Sequence, residues 1–257
     1  MERGKGLFET IVVISPNSSK TVFTKPTIFS MISSIKKFLL SIWDYFRHQK
    51  SYSQDGEDVV LAAYYHGRKR HKGFYVDVGA HHPVRFSNTW MYYRRGWRGI
   101  NIDPTPGSMR PFRFFRRRDI NLEIGIGRHL TQLTFYCFNE PALNTFDEAL
   151  AKQRDTGKPY RIVKKVSVPV EPLARVLDAN LPPGQQIDFF TIDVEGLDLE
   201  VLESNDWTKY RPEFILVEDP EFSPGQPAES AVYHFLKSKN YEMIAALKRT
   251  VIYHLRL

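Results

Sequence analysis

Short apolar runs closed by an acid or a glycine constrain this chain more than any other feature. They fall at Phe74–Val78, 99–103, 121–126, 187–193 and Phe214–Glu218. Each is rich in β-branched or aromatic residues and is too short for a helix. Most are near-continuous in apolar residues, without the polar alternation of a strand with one wet face, so the strands are expected to be covered on both sides. Helical spacing fills 86–95, 107–116, 197–204 and roughly 228–239. Strand and helix in alternation predict an α/β fold, an open, mostly parallel sheet with helices on both faces. Residues 133–138 read as a further strand and 140–165 show no clear pattern. Residues 166–170 read as an edge-like strand, because Pro169 cannot donate to a ladder. Residues 241–247 and 250–256 read as a closing antiparallel hairpin.

The chain divides into a flexible tail over 1–25, an amphipathic helix over 26–48 and the α/β domain over 49–257. Residues 16–20, a Pro-Asn-Ser-Ser-Lys run, are turn-forming material in the tail. In the helix, Ile28, Met31, Ile32, Ile35, Leu39, Ile42, Trp43 and Phe46 recur at three- and four-residue spacing after Pro26. Ser33, Lys36, Lys37, Ser41 and Asp44 lie between them. Such a helix either packs on its own domain or on a partner chain, or it makes peripheral contact with a membrane through residues 26–47. No run of about 20 apolar residues is present, and no segment reads as a secretory signal. Cys137 is the single cysteine, which excludes an internal disulfide and a CxxC zinc site. That fits a reducing compartment, and the expected location is cytoplasmic. The net charge of +7 favours anionic partners. Arginines crowd Arg110, Arg113, Arg116, Arg117 and Arg118; further clusters lie at Arg68, Lys69, Arg70 and Lys72 and at Arg94, Arg95 and Arg98. They read as a solvated face or as a dock for a phosphate-bearing acceptor, with nucleic acid ranked last.

Ligands of open parallel sheets bind outside the carboxyl ends of the strands. The residues at those ends are Asp77, Gly79, Ala80, His81 and His82, then Asp103, then Asp193 and Glu195, then Glu218 and Asp219. Acids at four strand ends predict one acidic crevice. Gly79 would let backbone approach a ligand closely. Asp103, at the end of the second strand, suits both hydroxyls of a ribose. The GxGxxG fingerprint of a dinucleotide pyrophosphate is absent, so a cofactor without phosphates fits better. S-adenosylmethionine is one, and its sulfonium suits an acidic cleft. Nothing in the spacing demands a metal, although Asp193, Glu195, Asp219 and the histidines could offer ligands.

Residues 75–80, Tyr-Val-Asp-Val-Gly-Ala, resemble the first motif of the FkbM-type methyltransferase family. The run 188–196, ending Ile-Asp-Val-Glu-Gly, resembles its other hallmark, and 53–58, Ser-Gln-Asp-Gly-Glu-Asp, resembles a lead-in segment. His81-His82-Pro83, residues 86–89 and Arg211-Pro212 are similar to one branch of that family. The resemblance covers about 51–220. It implies a Rossmann-like class I methyltransferase sheet, S-adenosylmethionine as donor, and O-methylation of a sugar or other hydroxylated small-molecule or glycan acceptor. It also implies cofactor contacts at Glu57, Asp77, Gly79, Ala80, Asp103 and Asp193, with Asp193 and Glu195 facing the reacting centre. Many members carry Asn after the Gly-Ala pair, where this chain has His81 and His82. A sugar hydroxyl needs a base, for which His81, His82, Asp193 and Glu195 are the candidates, a histidine first. The alternatives are an RNA methyltransferase, whose usual Asn/Asp-Pro-Pro-Tyr/Phe motif is absent, and a non-catalytic binding module on the same fold.

Overall fold

The computed structural model describes residues 8–12, 22–26, 28–46, 50–67 and 71–256; within the first helix it describes side chains 31–41. Two compact units divide at residue 50. In the first unit, β1 (Phe8–Val12) pairs antiparallel with β2 (Val22–Pro26), and α1 (Ile28–Phe46) follows. Part of the stretch read as a loose tail is therefore a hairpin, because Val, Phe and Thr on both arms favour paired strands. Residues 1–7 and 13–21, with the 16–20 turn, lie outside the described residues, as do Arg68, Lys69 and Arg70.

The second unit begins with α2 (Glu57–Tyr64), β3 (Phe74–Val78), α3 (Trp90–Arg94), β4 (Arg98–Ile102), α4 (Met109–Phe115) and β5 (Ile120–Leu122). Then come β6 (Gly125–Ile126), β7 (Thr131–Phe138), α5 (Glu148–Arg154), β8 (Ile162–Glu171), α6 (Leu173–Asn180) and β9 (Phe189–Ile192). The unit closes with α7 (Asp198–Glu203), β10 (Phe214–Glu218), α8 (Ala231–Ser238), β11 (Tyr241–Ala246) and β12 (Thr250–Leu255).

Seven strands form one sheet in the order β11-β12-β10-β9-β3-β4-β5. From β10 to β5 all neighbours are parallel, and β12 and β11 form the expected antiparallel hairpin on the β10 edge. The central strands are dry on both faces. Val76, Ile100, Phe190 and Ile215 pack on one side; Tyr75, Phe189, Phe214 and Leu216 pack on the other. This is why their sequences lost polar alternation. The run read as one strand over 121–126 splits. Its first half pairs with β4, and its second half leaves the sheet to join β8. β8 is longer than expected and is central to a second sheet, β6-β8-β7, which corrects the edge-like reading. Proline is tolerated there because β6 reaches only Val170 and Glu171, so Pro169 has a ladder partner on one side alone. The patternless 140–165 stretch folds as a short 3₁₀ turn and α5, and its last four residues open β8.

Candidate functional site

The strand order reverses between β9 and β3, because the chain builds outward through β4 and β5 before returning to β9. Loops leaving β3 and β9 therefore diverge, and a crevice opens at their carboxyl ends. A cavity of about 300 Å³ fills that crevice. Its floor carries Gly79, His81, Asp103, Asp193, Glu195 and Glu218. Its roof is the excursion between β7 and β8, which contributes Pro141, Leu143, Asn144, Phe146 and Arg154.

Gly79 holds the floor together. Its φ is +85°, and an added Cβ would stand 1.7 Å from the carbonyl oxygen of Asp193. The space that glycine leaves is thus taken by the end of β9, not by a ligand, which corrects the reason given for it from sequence. The Gly79 and Ala80 amides both donate to the Ile102 carbonyl, at 2.9 and 3.0 Å. These contacts clamp the ends of β3, β4 and β9 together.

Asp103 is 6% exposed and faces the cavity. One oxygen accepts the His81 amide at 3.0 Å and the other the Thr105 amide at 2.8 Å. Each oxygen keeps a lone pair for a ligand hydroxyl. The roof meets this loop through Asn144, whose amide donates to the Thr105 hydroxyl at 3.1 Å.

Asp193, Glu195 and Glu218 bring one carboxylate oxygen each within 4.8 Å of the others. Asp193 is an exposed side chain that opens onto the cavity, with many protein atoms close around its carboxyl. Burial first, then the neighbouring Glu218 and Glu195 charges, push its carboxyl well above the usual range. Burial likewise pushes Glu218 up to about 7. Their carboxylate oxygens lie within 4.8 Å of each other, so the two groups titrate as a pair and hold a proton near neutrality. The triad has the spacing of a hard-cation site as well as of a proton relay. Asp219, offered as a ligand from sequence, instead accepts the Ser230 hydroxyl. Glu195 sits at φ +57° and is held by Arg154, at 2.6 Å, and by the Thr145 hydroxyl on its carbonyl, at 3.0 Å. Beneath this loop, Asp198 accepts the Val194 amide at 3.1 Å and the Gly196 amide at 3.3 Å. His81, Phe86 and Glu195, three non-glycine residues with positive φ, all line the cavity. Such backbone costs on the order of 1–3 kcal/mol per residue and gathers at functional sites.

The other expected site residues stand behind the wall. Asp77 is 6% exposed, accepts the Thr89 hydroxyl at 2.8 Å and does not line the cavity. Burial raises its carboxyl to about 6. Ala80 packs with Met109 and Phe112. Glu57 is buried, accepting the Asp55 amide at 2.9 Å and the Thr250 hydroxyl at 3.0 Å. The ring Nδ1 of His82 accepts the Val84 and Arg85 amides at 3.1 and 2.9 Å, which fixes the turn before α3. His82 is thus a turn residue, while His81 lines the cavity with its pKa lowered by burial.

Arg116, read with its neighbours as part of a solvated or docking cluster, is fully buried. Its Nε donates to Asp119 at 2.9 Å, Nη1 to the Pro83 carbonyl at 2.9 Å, and Nη2 to Tyr75 and Thr89 hydroxyls at 2.7 and 2.8 Å. It therefore braces Asp77, through Thr89, and the His81-His82-Pro83 turn from below.

Three of the raised carboxyls have a consequence for stability. Asp77 stands at about 6, and Asp198 and Glu218 at about 7. Unfolded, such groups titrate near about 4. Between about pH 4 and 7 the folded state thus holds more protons, and stability falls as pH rises. The expected result is a Tm at least about 5 °C higher at about pH 5 than at about pH 8, since 1 kcal/mol is worth about 2–4 °C in a domain of this size. Scanning calorimetry checks it; a Tm that climbs across that window would contradict the burial of these groups.

A family profile described as Methyltransferase FkbM domain matches residues 77–243. No curated protein matches the chain. The matched region runs from Asp77 in β3 to β11 and takes in the whole cavity floor, and on that match this chain belongs to the FkbM methyltransferase family.

Proposed function

We propose that this protein transfers a methyl group from S-adenosylmethionine to a hydroxyl oxygen of a sugar or other hydroxylated small-molecule or glycan acceptor. The observation that carries this reading is the meeting of Asp103 with the Asp193–Glu218 pair in one roofed cavity at the sheet's switch point. The donor set fits such a cofactor. Asp103 offers one free lone pair per oxygen to the two ribose hydroxyls. Ile102, Ile124 and Phe146 supply apolar walls for a purine, and the acids offset a sulfonium charge. When bound, the donor supplies an electrophilic methyl group. The chain's own residues do the rest. The roof and floor would hold the acceptor hydroxyl next to the bound donor. The Asp193–Glu218 pair would take the proton that the acceptor hydroxyl gives up on accepting the methyl group. His82, with Nδ1 committed to two amides, is not available for that work.

Titration calorimetry with S-adenosylmethionine tests the donor. Asp103→Ala removes two hydrogen bonds to a charged acceptor, worth about 1.5–3 kcal/mol each, so affinity is expected to fall at least about tenfold. Equal affinity in the variant would refute the ribose assignment, and no binding by the folded parent would refute the donor.

A further inference from the structure

We propose that α1 docks this protein on an anionic phospholipid bilayer, lying flat in the headgroup region. Helix α1 exposes Met31, Ile32, Ile35, Phe38, Leu39 and Leu40, with relative exposures from 47% to 65%. Ile32, Ile35 and Leu39 follow one another at helical spacing and line a shallow apolar depression with Lys36 and Leu40. Ser33, Ser34, Lys37 and Ser41 occupy the opposite side. A 19-residue helix with several serines and β-branched residues is marginal in water by itself, so a covering surface is what stabilises it.

Charge identifies that surface. Residues 1–50 hold eight lysines and arginines against three acids, a net +5 of the chain's +7. The remaining 207 residues thus carry only +2. The positive excess is concentrated in the unit that bears the bare apolar face. A second copy would bring the same charge against itself, whereas a bilayer containing phosphatidylserine offers hydrocarbon and negative headgroups together. No helix among the described residues is long and apolar enough to cross a membrane, in keeping with a helix that lies on the surface.

Vesicle co-sedimentation of the full chain tests this. Vesicles of about 7:3 phosphatidylcholine to phosphatidylserine should bind at least about tenfold more strongly than pure phosphatidylcholine, and rising salt should erode the difference. Ile35→Glu with Leu39→Glu should weaken binding at least about tenfold, and Lys36→Glu with Lys37→Glu should remove the preference for phosphatidylserine. Both pairs lie in the unit separate from residues 51–257, so the thermal transition of the catalytic unit serves as the folding control. Absence of binding to phosphatidylserine vesicles, or equal binding by the Ile35→Glu/Leu39→Glu variant, overturns the proposal. So does a dimer in sedimentation velocity that this variant splits, which would assign the face to a second copy.

Discussion

Asp193→Asn is expected to lower the rate of methyl transfer by about 100- to 10,000-fold, the usual worth of a positioned general base. Asparagine keeps the shape and can still bond to Glu218, but it cannot hold the acceptor's proton. Binding of the donor should change far less than turnover, because Asp103 is untouched. The parent's rate should rise with pH through about 7, where Glu218 titrates, as the pair gives up the proton it shares. Glu218→Gln should erase that limb of the profile. Transfer of labelled methyl to a panel of monosaccharides and nucleotide sugars supplies the assay. A variant as fast as the parent would move the base to His81, the histidine on the cavity wall, whose pKa burial lowers.

Arg116→Met should destabilise the catalytic unit by about 3–5 kcal/mol, the cost of leaving a buried charge without its partner. The group left stranded is Asp119, whose side chain has no solvent exposure and which also accepts the Tyr75 hydroxyl at 2.6 Å. Removing both charges should recover a large part of the loss, so Arg116→Met/Asp119→Leu is expected to unfold at higher denaturant than Arg116→Met alone. Urea unfolding of the four proteins in that cycle measures it. Additive losses would mean that the pair is not coupled.

These two residues show where sequence reading succeeds and where it stops. Asp103, Asp193 and Glu218 were legible because strands dry on both faces announce themselves as apolar runs, and the next residue is then placed by topology. Which carboxyl turns into the cavity was not legible. Asp77 lies inside β3, level with Thr191 of β9 and two residues short of the strand-end position that Asp193 takes, and it bonds to Thr89. Arg116 lies among five arginines within nine residues, and nothing local separates it from its exposed neighbours. Its partners Tyr75, Pro83 and Thr89 are 41, 33 and 27 residues away, so only the fold reveals its burial. The roof was missed for a similar reason. Residues 140–165 bury little of their own, and α5 is positioned by Asp147 capping Leu150 and by Arg154 gripping Glu195.

The clash awaiting any side chain at Gly79 says something about how this enzyme can diversify. With no room for a Cβ between the ends of β3 and β9, the floor half of the chamber is locked against remodelling. The excursion between β7 and β8 touches that half through few bonds, among them Asn144 to Thr105 and Arg154 to Glu195. On the proposed function, a change of acceptor is therefore expected to fall in this ceiling and not at Gly79.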